Sequence, residues 1–202
     1  MKKIIYFIEF LLVEFLFIIC KAVGYKLASN LGFFIGKNFG NFFRKKKSII
    51  ENLHKSRISI NISDNQFVNN ILGNYGRILA EYPFLKDFRE NKLEQFIKIE
   101  GIENLDQIKK NKKPVVFISG HFNNFELMAM QIEKYGINLA AIYRPLNNVF
   151  LNKTMERIRT KYICRNQIRK GKSGTRQILE NLKKSNSIAL MIDQRVTEGI
   201  KI

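Results

Sequence analysis

One of the chain's two histidines, His121, stands five residues before a carboxylate, Glu126, in the stretch Ile118-Ser119-Gly120-His121-Phe122-Asn123-Asn124-Phe125-Glu126. An apolar run from Pro114 to Ile118 precedes it and an apolar segment from Leu127 to Tyr135 follows, so the pair falls where a buried strand should give way to a helix. On a continuous helix, residues five apart sit about 140° apart around the axis, whereas partners on one face are three or four apart. The two side chains therefore meet only if His121 lies before the helix, on the strand-to-helix turn, with Glu126 in the first turns. Gly120 permits a tight turn there, and Asn123 or Asn124 suits the N-cap. A carboxylate holding one imidazole nitrogen leaves the other to take a proton, which is general-base chemistry. A bare HxxxxE pair is equally the pattern of a histidine beside an unrelated helical glutamate, so its surroundings decide.

The elements around the pair are legible from periodicity. Ser63xxGln66 has the form of a capping box opening a helix from about Asp64 to Tyr82, in which Arg77 and Glu81 share a face. A second such box, Ser48xxGlu51, would open a short helix. Phe96-Ile97-Lys98-Ile99 alternates like a half-buried strand. From a helix at Glu103 to Lys110 onward the pattern alternates: strand Val115–Ile118, the helix bearing Glu126, strand Leu139–Tyr143, and a helix from Val149 to Tyr162. A basic stretch from Arg165 to Lys172, a helix from Ser173 to Lys184 and a strand Ser187–Ile192 complete it. This alternation predicts an α/β fold with a mostly parallel central sheet flanked by helices. Three strands would then deliver His121, Arg144 and Asp193 at their carboxyl ends, the edge where open α/β sheets bind ligands.

Other chemistries are excluded. Gly171-Lys172-Ser173 resembles the end of a phosphate-binding loop, but the required earlier glycine is Asn166 and no strand is predicted before it. GxSxG does not occur, and no ligand set for zinc is visible, so no metal is expected. Cys20 and Cys164 make no metal spacing and are read as free or buried thiols.

The N-terminus has another character. Ile4 to Cys20 reads IIYFIEFLLVEFLFIIC, apolar except for Glu9 and Glu14. Such a segment is expected to anchor the chain in a membrane, spanning it or lying in its interface, and residues 1–23 are read as that anchor helix. In residues 24–47, Ala28, Gly32, Gly36 and Gly40 recur every four residues among bulky phenylalanines, a ladder that lets another helix or lipid approach closely. The basic cluster Arg44 to Lys47 then suits an anionic membrane surface. Residues 48–202 form the α/β domain.

With 35 Lys and Arg against 17 Asp and Glu, the net charge is +18, which draws acidic partners: nucleic acid, anionic lipid or an acidic carrier protein. No nucleic-acid recognition signature accompanies it, so nucleic acid is not expected. A content of 46% hydrophobic residues with only 3 prolines excludes disorder.

Taken in order, GRILAE at 76–81, SGHFNNFE at 119–126, YRPLNN at 143–148 and the DQ pair at 193–194 resemble the late acyltransferases of lipid A biosynthesis, the lauroyl and myristoyl transferases. The resemblance implies a glycerolipid-acyltransferase-like fold on the cytoplasmic side of the bacterial inner membrane. It implies transfer of a fatty acyl chain, without a cofactor, from acyl carrier protein or coenzyme A to a hydroxyl of an anionic lipid A precursor. His121 would be the general base, with Glu126 orienting it. Arg144 would either stabilise the thioester oxyanion or hold an acceptor phosphate. Gly120 would lend an N–H, and Asn123 and Asp193 would support substrate binding. Other glycolipid or phospholipid acceptors, and a non-catalytic basic membrane or nucleic-acid binder, are the competing readings. Because the family continues past the DQ pair, the α/β domain is expected to be incomplete at its C-terminus.

Overall fold

A single residue, Gly24 at φ 84°, separates two apolar helices, α1 (Lys2–Val23) and α2 (Tyr25–Phe39). The structure, a computed structural model, describes residues 2–42 and 46–193, except for the side chain of Lys172. It divides into two compact units, Leu11–Phe84 and Met1–Phe10 with Leu85–Ile202, so that the division falls within α1.

The first unit adds α3 (Lys46–Ser56) and α4 (Asp64–Glu81). Ser63 caps α4 as expected, its hydroxyl accepting from the Gln66 N–H at 3.3 Å. Ser48 does not cap α3: the helix begins at Lys46, which leaves Ser48 inside it. The small-residue ladder finds its partner within the chain, because Gly32 and Gly36 of α2 press on Gly73, Gly76 and Ala80 of α4. A Cβ built on Gly36 would lie 2.3 Å from the Leu72 carbonyl oxygen, and one on Gly76 would lie 2.2 Å from that of Gly32. Two backbones in such contact exclude any side chain between them. At the end of the seam, buried Glu81 accepts from Ser29 Oγ at 2.6 Å and Tyr25 OH at 3.4 Å, while Arg77 lies over the Phe33 ring at 4.8 Å. Burial and the Glu81 charge push the Tyr25 phenol up to about 12. The opposite face of α2, with Leu27, Leu31, Phe34, Ile35 and Phe39, is exposed.

The second unit runs α5 (Leu85–Arg89), α6 (Ile102–Asn111), β1 (Val116–Ser119), α7 (Glu126–Lys134), β2 (Leu139–Tyr143), α8 (Val149–Ile158), β3 (Asn166–Arg169), α9 (Lys172–Lys183) and β4 (Ser187–Met191). The four strands are all parallel, in the order β1-β4-β2-β3. The α/β class with its parallel sheet stands. Ala140, Ile168 and Ile188 form a buried core on one face, covered by Ile178 and Leu182 of α9. Two expectations are corrected. Ile97 is extended, but residues 97–100 pair with no strand among the described residues, and a 3-10 turn, Glu94–Phe96, precedes them. The basic stretch Arg165 to Lys172 contains β3, whose one buried residue is Ile168.

Of the two modes expected of the N-terminal anchor, spanning the membrane or lying in its interface, the first is corrected: no helix of the described residues is long and apolar enough to cross a membrane. The uncharged flank of the run ends at Lys3 and Lys21, so any longer window takes in a lysine besides Glu9 and Glu14. Glu9 is moreover engaged by the protein, accepting from Asn148 Nδ2 at 2.9 Å.

The α2–α4 seam makes a stability prediction. Gly76→Ala should destabilise the first unit by roughly 2–4 kcal/mol through overpacking against backbone. Leu31→Ala on the exposed face should cost less than about 0.5 kcal/mol. Thermal denaturation followed by circular dichroism compares them.

Candidate active site

Register brings the site together. β1 pairs with β4 through Val116↔Ile188 to Ser119↔Met191, and one more bond, Ile192 N–H to the Ser119 carbonyl at 3.0 Å, extends the ladder. Two residues beyond the last pair, His121 and Asp193 stand opposite each other. Asp193 Oδ2 accepts from the His121 backbone N–H at 2.7 Å, and Oδ1 meets the ring Nδ1 at 2.7 Å. Partial burial raises the Asp193 carboxyl pKa, but the two hydrogen bonds from His121 outweigh this and hold it below its usual range. An ionised Asp193 accepts from Nδ1–H, which in the neutral form of an imidazole leaves the lone pair on Nε2. Phe125 stands edge-on to the imidazole, centroids 4.6 Å apart, and the His121 side chain is only 20% exposed. Gly120 is buried against this turn: a Cβ there would lie 3.2 Å from Asp193 Oδ2 and 2.9 Å from the Phe122 ring.

The turn has the geometry that the five-residue spacing requires. His121 precedes α7 and Glu126 is its first residue. Phe125, rather than Asn123 or Asn124, occupies the N-cap, and no side chain caps the helix. Asn123 is exposed at φ 42° and its carbonyl accepts from the Phe125 N–H at 3.0 Å, so it shapes the turn.

Glu126 is buried, at 7% exposure, and its Oε1 accepts two hydrogen bonds from Arg159, from Nε at 2.8 Å and Nη2 at 2.6 Å. Arg159 opens a π-helical turn, Arg159–Ile163, that continues α8, and its guanidinium lies 5.9 Å from the Tyr143 ring centroid. Single π turns inside helices are frequent at functional sites. Asp193 thus places a carboxylate on the imidazole, and Arg159 places a cation on Glu126. A glutamate in an apolar segment calls for a cation, but nothing in the sequence ranks Arg159 above Arg157, Arg165 or Arg169.

Arg144 follows β2 and is exposed. β4 lies between β2 and β1, and the pleat separates them further. Ala140 and Ile142 belong to the α9 face, and alternation places Arg144 with them, whereas Tyr143 faces the other way, hydrogen-bonded to Glu156. His121 and Asp193 have the parity of Tyr143. Sequence reasoning also left Asn148 without a role. Its buried side chain caps α8 by accepting from the Phe150 and Leu151 N–H groups and donates to the Tyr6 carbonyl at 2.8 Å. Gln194 lies outside the described residues. Both cysteines are free and buried, and burial raises the Cys164 thiol to about 11. Among the described residues no group of three or more His, Cys, Asp and Glu could hold a metal ion.

Fold and site together define a class of protein: a parallel α/β sheet with a histidine–carboxylate pair at its carboxyl edge. Within that class, the chain belongs to the bacterial lipid A biosynthesis acyltransferase family, whose model matches residues 1–201. A search of curated proteins finds no match. Membership makes the chain an acyltransferase of lipid A biosynthesis that acts on an acyl donor and a lipid acceptor, without a cofactor.

Two outcomes follow from the geometry. Arg159→Met leaves Glu126 buried without its cation and should cost roughly 3–5 kcal/mol, most of it recovered in Arg159→Met/Glu126→Met, as read by denaturant unfolding. For Asp193, the folded pKa lies below the unfolded one. Its bond to His121 is therefore fully present above the ordinary value of 3.8 and is lost only as pH falls through the lowered folded value. The imidazole ¹⁵N shifts of His121, titrated downward from pH 6, should show the contact persisting at pH 4.5.

Proposed function

We propose that this chain moves a fatty acyl group from the thioester of acyl carrier protein to a hydroxyl of a lipid A precursor, at the cytoplasmic face of the bacterial inner membrane. The observation that carries the reading is the Asp193–His121 contact at the carboxyl edge of the sheet, in a chain of this family. In the proposed reaction, His121 Nε2 takes the proton of the acceptor hydroxyl as its oxygen attacks the thioester carbonyl. The carbon–sulfur bond breaks, an ester forms, and the imidazolium returns the proton to the departing thiolate. Asp193 orients the ring and stabilises its cationic form, as a carboxylate does for a general-base histidine. Glu126, fixed by Arg159, begins the helix into which the His121 turn feeds and adds a second negative charge in support of the imidazolium. The attacking oxygen is the substrate's own, so no nucleophile of the protein is required.

Membrane association in this reading is peripheral. Ile4, Ile5, Ile8, Leu12, Phe15 and Ile18 of α1 are exposed, an apolar face of the kind that lies in a lipid interface, and Lys2 and Lys3 precede it. The net charge of +18 favours both an anionic lipid and an acidic carrier protein.

In a membrane preparation supplied with acylated carrier protein, His121→Ala should lower the rate of transfer at least about 10²-fold, and Asp193→Asn should also lower it, with melting unchanged. Undiminished transfer by His121→Ala would sink the reading. Mass spectrometry of lipids from a deletion strain identifies the acceptor: loss of a secondary acyl chain from lipid A supports it, and an intact lipid A with another acyl lipid missing transfers the chemistry to that acceptor.

A further inference from the structure

The pleat sorts the cations at the carboxyl edge of the sheet into two groups. Ala140, Ile142 and Ile168 share the face that packs on Ile178 and Leu182 of α9, and alternation carried one position further along each strand adds Arg144 and Lys170 to it. β2 and β3 pair in parallel as Ile142↔Ile168 and Tyr143↔Arg169, and the ladder continues with the Lys170 N–H donating to the Tyr143 carbonyl at 2.9 Å. Arg144 and Lys170 are therefore cross-strand neighbours.

Both residues are exposed, and neither has an acidic partner among the described residues. Like charges directly across a strand pair repel and destabilise it. Of the carboxylates at this edge, Asp193 is engaged by His121, and Glu156 is held by Tyr143 on the opposite face, where Arg169 also lowers its pKa. Neither neutralises the pair. The chain after Lys170 leaves room: nothing lies within 4 Å of the place where a Cβ on Gly171 would stand. Two adjacent cations beside an open backbone, at the edge where parallel sheets bind ligands, gain from an anion that both can reach. Arginine supplies a planar fork matched to phosphoryl oxygens and lysine a compact charge.

We infer that Arg144 and Lys170 form a binding site for a phosphoryl group, on the α9 face of the sheet and separate from the His121–Asp193 pair. The site itself rests on the sheet register. Only the source of its ligand rests on the acyl-transfer reading, which offers a phosphate on the lipid acceptor or the phosphodiester of the donor's prosthetic arm. In either case the phosphoryl group is held at the edge that carries the base, while the base is left to the proton.

The first arm of the test needs no catalysis. Binding of glucose 1-phosphate to the full-length protein is followed by ³¹P line broadening for the wild type, Lys170→Gln, Arg144→Gln/Lys170→Gln and His121→Ala. The double variant should bind at least about tenfold more weakly, Lys170→Gln by an intermediate factor, and His121→Ala as the wild type does, since each lost contact is a charge-assisted hydrogen bond. Circular dichroism of Lys170→Gln confirms that the fold is kept. Wild-type binding by the double variant overturns the site, whatever the catalytic result. In the second arm, Lys170→Gln is assayed for acyl transfer with kcat and KM separated. A raised KM for a phosphorylated acceptor, absent with the dephosphorylated one, assigns the phosphoryl group to the acceptor, and a raised KM for the acyl donor assigns it to the donor. Both values at the wild-type level, in an active enzyme, remove the site from the reaction.

Discussion

The register of β1 on β4 is the constraint on which the His121–Asp193 contact depends. A one-residue slip would set Ile192 opposite His121 and turn Asp193 to the other face of the sheet. The ladder is pinned at both ends. At its start the Val115 N–H donates to Ser187 Oγ at 3.2 Å and the Val115 carbonyl accepts from the Ile188 N–H at 2.9 Å; at its end the Ile192 N–H reaches the Ser119 carbonyl. Asp193 then holds both the backbone and the ring of one residue, so the conformation of the turn and the rotation of the imidazole are set by a single carboxylate. In the proposed reaction, an imidazole fixed in this way gives up little freedom when a substrate hydroxyl arrives.

The second carboxylate of the centre has a different physical character. Asp193 is partly open to water and is held by hydrogen bonds from His121, whereas Glu126 is buried and paired with Arg159. A buried ion pair gains little net stability over an apolar pair of the same volume, so its presence is better explained by what it positions than by what it stabilises. The π turn that begins at Arg159 leads directly to Ile163 and Cys164, both buried, and the Cys164 thiol donates to the Leu139 carbonyl at the start of β2. Strand β2 and the cation on Glu126 are thereby tied by a few residues of chain.

Much of this was legible in the sequence, and the parts that were not share one cause. The angle between residues five apart on a helix was enough to place His121 on a turn and Glu126 at the head of α7, and the apolar runs 115–118, 139–143 and 187–192 were long enough to mark three strands. β3 was hidden because only Ile168 of its four residues enters the core, as suits a strand at the edge of the sheet. Residues 96–99 have the alternation of a strand but find no partner strand among the described residues, and periodicity alone cannot supply one. The glycine ladder announced close approach without naming α4. Asp193 was seen at a strand end but not as the partner of His121, because register is a relation between distant segments and leaves no local mark.

The hydropathy of α1 misled for a related reason. Its apolar run has the length of a near-span, yet its first turns belong to the same unit as the sheet. One buried amide makes that connection: Asn148 caps α8 with its oxygen and with its nitrogen donates to the Tyr6 carbonyl and to Glu9, while Phe7 and Phe10 pack on Phe150. A carboxylate that would be costly in hydrocarbon is thus satisfied by protein. The same contacts leave Ile4, Ile5 and Ile8 exposed and fix them relative to the turn that follows β2, four residues from Arg144 to Asn148. The position of those isoleucines with respect to the carboxyl edge of the sheet is consequently set by the protein itself, through one amide and two aromatic contacts.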